Sequence, residues 1–131
     1  MRVLVCGSRG WTDRQAVEDA LCALLPSQGE KTTVVLIHGA ARGADQVAAD
    51  VARSLNTTMR EADFAIHAFP ADWKKYGRYA GFVRNQQMLD EGKPDLVLAF
   101  WDGKSRGTAD MINRTRRAGV PVRIISPTSA Q

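Results

Sequence analysis

The stretch Val34-Val-Leu-Ile37-His38-Gly39-Ala-Ala41-Arg42-Gly43-Ala44-Asp45 joins a continuous apolar, β-branched run to a turn of small residues and then to the start of a helical pattern. Short runs that are apolar at every position read as strands buried on both faces, the kind a parallel sheet uses. Apolar residues then recur at helical spacing from Ala44 to Leu55.

The same pattern recurs on either side. Val3-Leu-Val-Cys6 leads through Gly7-Ser8-Arg9-Gly10 into a helix over Asp13–Leu25, with apolar residues at Ala16, Val17, Ala20, Leu21 and Leu24. Ala65-Ile-His67-Ala-Phe69 precedes a helical pattern from Tyr79 to Leu89, and Leu96-Val-Leu-Ala-Phe100 precedes one from Thr108 to Ala118. Val120–Ile125 closes the series. Strand and helix alternating to the end, with right-handed crossovers, predict a single α/β, Rossmann-like domain. Its five-stranded parallel sheet has the order 3-2-1-4-5, with helices on both faces. At 131 residues the chain has material for one core. The domain is expected over residues 1–125. The polar stretch Asn56–Asp63 should be a surface excursion before the third strand, and Ser126–Gln131 a frayed tail.

Composition sets wide bounds. With 44% apolar and 24% charged residues the chain is globular rather than disordered or fibrous. The N-terminal apolar run is too short for a signal peptide or a membrane span, so a cytoplasmic protein with no membrane partner is expected. Cys6 and Cys22, without a second pair at metal spacing, predict neither a disulfide framework nor a metal site. No cofactor is expected. The net charge of +4 favours an anionic partner without saying which.

In an open parallel sheet the ligand sits beyond the carboxyl ends of the strands, near the point where strand order reverses. The unusual turns fall there. Gly7, Ser8 and Arg9 follow the first strand, and Gly39, Ala41, Arg42, Gly43, Ala44 and Asp45 follow the second. Gly103, Arg106, Gly107 and Thr108 follow the fourth. Glycine lets backbone approach a ligand, and a helix N-terminus offers free amides to an anion. A phosphate at this edge would meet amides from both of the first two turns, with Arg9 and Arg42 in reach. No Lys-Ser or Lys-Thr follows the glycines, and the spacing is not Gly-x-Gly-x-x-Gly. ATP hydrolysis and ordinary NAD binding are therefore disfavoured. Arg84 and Asn85 are expected in the first two turns of the helix after strand three, near the loop rim.

Gly7-Ser-Arg, Gly39-Ala-Ala-Arg-Gly-Ala-Asp45, Phe69-Pro-Ala-Asp-Trp73, Ala80-Gly-Phe-Val-Arg-Asn85 and Arg106-Gly-Thr108 together resemble the YspA-like family of the SLOG superfamily, from about Arg2 to Ile125. That superfamily also holds the Lonely Guy phosphoribohydrolases and the DNA-processing protein A family. The resemblance implies a pocket for a nucleotide-derived ligand. The Lonely Guy motif Met-x-x-Arg-Lys falls on residues 81–85, which implies a catalytic role for Arg84. The glutamate of their Pro-Gly-Gly-x-Gly-Thr-x-x-Glu motif falls on Met111. Asp110, one residue earlier and roughly 100° round a helix, is the nearest substitute and the second catalytic candidate. Asp45 and Asp102 are alternatives from other loops, and glutamate at position 111 would be expected to supply the missing carboxylate.

Three functions compete. A phosphorylated, nucleotide-derived small molecule is bound without chemistry by a sensor or sequestering module, a reading that Met111 favours. Alternatively, a phosphoribohydrolase-like enzyme cleaves the base–ribose bond. Nucleic-acid binding, suggested by Lys104, Arg106, Arg114, Arg116 and Arg117, is disfavoured. Arg114, Arg116 and Arg117 read as a solvated helix end, without interleaved aromatics. A homo-oligomer is admitted, since related folds dimerise through helices.

Overall fold

A computed structural model describes residues 1–26 and 30–127. Five strands, β1 (Arg2–Gly7), β2 (Thr32–His38), β3 (Ala62–Ala68), β4 (Leu96–Phe100) and β5 (Val122–Ile125), form one sheet. Its order is β3-β2-β1-β4-β5 and every pairing is parallel, so the chain has the α/β, Rossmann-like arrangement expected from the alternation. The helices are α1 (Arg14–Cys22), α2 (Ala44–Thr58), the short α3 (Trp73–Tyr76), α4 (Ala80–Gly92) and α5 (Arg106–Arg117).

The central strands β1 and β4 are apolar at consecutive positions because both of their faces are covered. Val3 and Val5 face a cluster with Val17 and Leu21 of α1 and Ala48, Val51, Ala52 and Leu55 of α2. Leu4 and Cys6 face the other cluster, with Met88 and Leu89 of α4 and Met111 and Ile112 of α5. Alanines on α2 let that helix lie close to the sheet. Gly7 is required where they meet, because a Cβ there would overlap Ala44 and the Phe100 carbonyl.

Several element boundaries differ from expectation. Helix α2 runs on to Thr58 and β3 begins at Ala62, so most of the polar stretch Asn56–Asp63 belongs to regular elements. Asn56 earns its place there by exchanging two hydrogen bonds with the Phe64 backbone (3.0 and 2.7 Å). Helix α5 begins at Arg106, two residues early, because Ser105 caps it by accepting from the Thr108 amide (3.4 Å). Helix α3 was not expected at all. Residues 128–131 of the expected frayed tail lie outside the described residues. Among the described residues no helix is long and apolar enough to cross a membrane.

Candidate functional site

Parallel pairing puts the carboxyl ends of β1, β2 and β4 on one edge, and the turns that follow them border a cleft of about 470 Å³. Two anchors fix its rim. The Ser8 amide donates to the Phe100 carbonyl (2.9 Å), and the Ser8 hydroxyl accepts the Asp102 amide (3.1 Å), so the turns after β1 and β4 are tied together. Ser8 is buried in this role. The Ala44 amide donates to the Ser8 carbonyl (3.2 Å), which ties in the turn after β2.

The first three amides of the turn after β2 are already satisfied by protein. Asp45, buried at the start of α2, accepts the amides of Gly39 (2.9 Å) and Ala41 (3.3 Å) on one oxygen. His38 Nδ1 accepts the amide of Ala40 (3.0 Å). Burial lowers the His38 pKa, which keeps that nitrogen an acceptor. Three successive amides are consumed, so the expected phosphate contacts from Gly39 and Ala41 are not on offer. Nor do Gly43 and Ala44 border the cleft. Gly43 has φ +80° and its α-carbon abuts the Ser8 and Arg9 carbonyls, where no side chain fits. Arg42 is exposed beside an adjoining recess.

The turns after β1 and β4 instead carry open amides on residues of the cleft wall. The amides of Arg9, Gly10, Arg106 and Gly107, all residues of the cleft wall, have no hydrogen-bond partner among the described residues. A Cβ at Gly10, Gly103 or Gly107 would meet open space. Thr108 is buried on the wall, with its hydroxyl donating to Ser105 Oγ (3.1 Å). Asp102 accepts the amides of Lys104 (2.8 Å) and Ser105 (2.9 Å), and these bonds, that from Ser105 foremost, hold its carboxyl below the usual carboxylate range.

Arg84 reaches in from α4. Its Nη1 donates to the Gly39 carbonyl and its Nε to Asn85 Oδ1 (3.1 Å). Gly39 has no side chain because the guanidinium occupies that space. Nη2 has no partner among the described residues. Burial lowers the Arg84 pKa and Asp45 opposes that shift. Desolvation in turn raises Asp45 to about 6, against the lowering by its amide donors and Arg84. Burial also pushes the Cys6 thiol, at the cleft floor, well up.

Both halves of the expected catalytic carboxylate on α5 are displaced. Asp110 does not border the cleft. Its Oδ2 accepts from Arg114 Nε (2.8 Å) and Asn85 Nδ2 (3.0 Å), and Arg114 Nη1 continues to Gln86 (3.0 Å). Asn85, which is buried, thereby links α4 to α5 and orients Arg84. Met111 is fully buried in the apolar cluster with Leu4 and Ile37, so a carboxylate there would enter the core and not the cleft.

Sequence reasoning did not pick out Arg78, Phe82 or Ser105, all on the cleft wall. Asp72 caps α3 by accepting the Lys75 amide (3.1 Å), and this short helix holds Trp73 at the cleft mouth. The Asp-Trp step after Phe69-Pro was a readable capping signal.

Residues 1–76 match the family described as YAcAr, the YspA, cpYpsA-related SLOG family. The chain belongs to this family. The chain is also similar to the Gene 61 protein of Mycobacterium phage D29, with 40% identity over 123 residues that cover 92% of this chain and 93% of that protein. No solved structure matches the chain. The YAcAr match ends at Tyr76, so it takes in the turns after β1 and β2 and the α3 cap, while Arg84 and the turn after β4 lie in the span shared with the phage protein. Membership of this SLOG family suggests a nucleotide-related role, in binding or in catalysis.

Proposed function

We propose that the cleft binds a phosphorylated, nucleotide-derived small molecule and that the protein is a sensor or sequestering module. One observation carries this reading: two turns with open amides, Arg9–Gly10 and Arg106–Gly107, border a single cleft with the unpartnered Nη2 of Arg84. Free amides at the start of a helix are a ready anion site, and a guanidinium adds a charge-assisted donor. The cleft volume suits a mononucleotide. Cleavage of a base–ribose bond needs a carboxylate to stabilise cationic charge or activate water, and α5 supplies none. Its Asp110 is ion-paired away from the cleft and its Met111 is in the core.

A second reading has one observation in its favour. Asp45 borders the cleft, and burial holds its carboxyl near pH 6, a useful range for acid–base work. On that reading Asp45 serves a phosphoribohydrolase-like reaction.

Calorimetric titration with AMP separates these possibilities. Saturable binding is expected, weakened at least tenfold in Arg84→Gln, with no adenine released on prolonged incubation. Adenine release that disappears in Asp45→Asn would establish the enzyme instead. The absence of saturable binding by any nucleoside monophosphate would end the nucleotide reading.

A further inference from the structure

Beyond Arg84 lies a second recess of about 390 Å³, bounded by Arg9, Arg42, Pro70 and Trp73. Arg9, Ala41, Trp73 and Arg84 border both spaces, so the two are neighbours across one arginine. Three arginines border the recess, and among the described residues no carboxylate does. The side chains of Arg9 and Arg42 make neither a hydrogen bond nor an ion pair with any described residue. Asp45, whose charge acts on Arg84, is buried and borders only the first cleft. Like charges collected around a concave space repel one another, and an anion seated among them relieves that repulsion.

Two further features concern the same wall. Ala40 holds φ +58°, a left-handed conformation that non-glycine residues rarely adopt, and the His38 acceptor fixes it there. Such backbone strain concentrates where a loop shapes a ligand site. Trp73 is 51% exposed at the junction of the two spaces, on a helix fixed by the Asp72 cap. A bare indole face at that position is suited to stacking on a planar base.

We propose that the ligand is a nucleoside bisphosphate. One phosphoryl group sits at the open amides of the first cleft, the other among Arg9, Arg42 and Arg84 in the second recess, and the base lies against Trp73. This rests on the nucleotide reading of the first cleft. Arg42 borders only the second recess, so it is the residue that distinguishes a two-phosphate ligand from a one-phosphate ligand.

The test is calorimetry with AMP, adenosine 3′,5′-bisphosphate and adenosine 2′,5′-bisphosphate on the full chain and on Arg42→Ala. At least one bisphosphate should bind tenfold or more tighter than AMP, and Arg42→Ala should remove most of that gain while AMP affinity stays within twofold. Arg42 is exposed and unbonded, so the variant folds. AMP binding with no gain from either bisphosphate, or a gain that survives Arg42→Ala, overturns the proposal and leaves the nucleotide reading intact. If none of the three binds, the proposal falls, and the nucleotide reading falls with it when no other nucleoside monophosphate binds either.

Discussion

The turn after β2 and the turn after β4 both carry glycines, both lead into a helix, and both lie on the same sheet edge, yet they do opposite work. In residues 39–41 the amides are occupied by Asp45 and His38, and Gly39 and Gly43 are filled against Arg84 and the Ser8–Arg9 backbone. In residues 102–108 the Arg106 and Gly107 amides are open and the glycines face empty space. A glycine-rich turn is therefore two different objects. One is a joint in which absence of a side chain lets protein meet protein, and the other is a cradle in which it lets a ligand in.

Substitutions can break this contrast in a graded way. The largest effect is expected behind the open turn, where Met111→Glu would put a carboxylate among Leu4, Ile37 and Val97. A buried charge without a partner belongs to the severe class of changes, of order 4 kcal/mol or more. Loss of the cooperative unfolding transition in urea is expected, with no gain of nucleotide cleavage.

Next comes the joint itself. Gly43→Ala combines a backbone conformation hostile to side chains with overlap against the Ser8 and Arg9 carbonyls. It should cost about 2–4 kcal/mol, read as a lowered urea midpoint at unchanged m-value.

Asp45 gives the joint a pH signature. Its folded-state pKa of about 6 lies above the ordinary carboxylate value, so the folded protein holds this proton more tightly than the unfolded chain does. The resulting stabilisation is fully present below about pH 4 and is lost as pH rises through 6. It amounts to roughly 2–3 kcal/mol, at about 1.4 kcal/mol per pH unit. Relative to the wild type, Asp45→Asn should therefore become less pH-sensitive between pH 4 and 7 in equilibrium denaturation. Parallel stability curves for the two proteins would contradict the assignment.

The smallest effect on stability belongs to the cradle. Gly107→Ala adds a methyl group in open space within the first turn of α5 and should stabilise the fold by about 0.5–1 kcal/mol. Nucleotide affinity should nonetheless fall several-fold, since the methyl group enters the space an anion would use. A fold loss here, or unchanged affinity, would erase the distinction between the two turns.

The strands and their order were legible because burial on both faces leaves an unbroken apolar run, as in Leu96–Phe100, and because alternation with helices restricts the topology. The position of the cleft followed from that topology. What stayed hidden was which turn is open, because it depends on hydrogen bonds between side chains and backbone that no spacing rule encodes. Asp45 looked like a ligand contact and is chiefly an internal acceptor. Asp110 looked like a displaced catalytic acid, yet Arg114, four residues on, was already a readable partner at ion-pair spacing on a helix. Trp73 stands in the Phe69-Pro-Ala-Asp-Trp73 motif, but its helix is a single turn and leaves no periodic pattern that would place it at the cleft.

The occupied amides of residues 39–41 also bear on how fast a ligand arrives. A loop already held by Asp45 and His38 does not have to become ordered on encounter, so the second-order rate constant should be set by diffusion through the positive field of Arg9, Arg42 and Arg84. Stopped-flow traces should then show a single phase whose rate is linear in ligand concentration and drops steeply with added salt, without the plateau of a closing step.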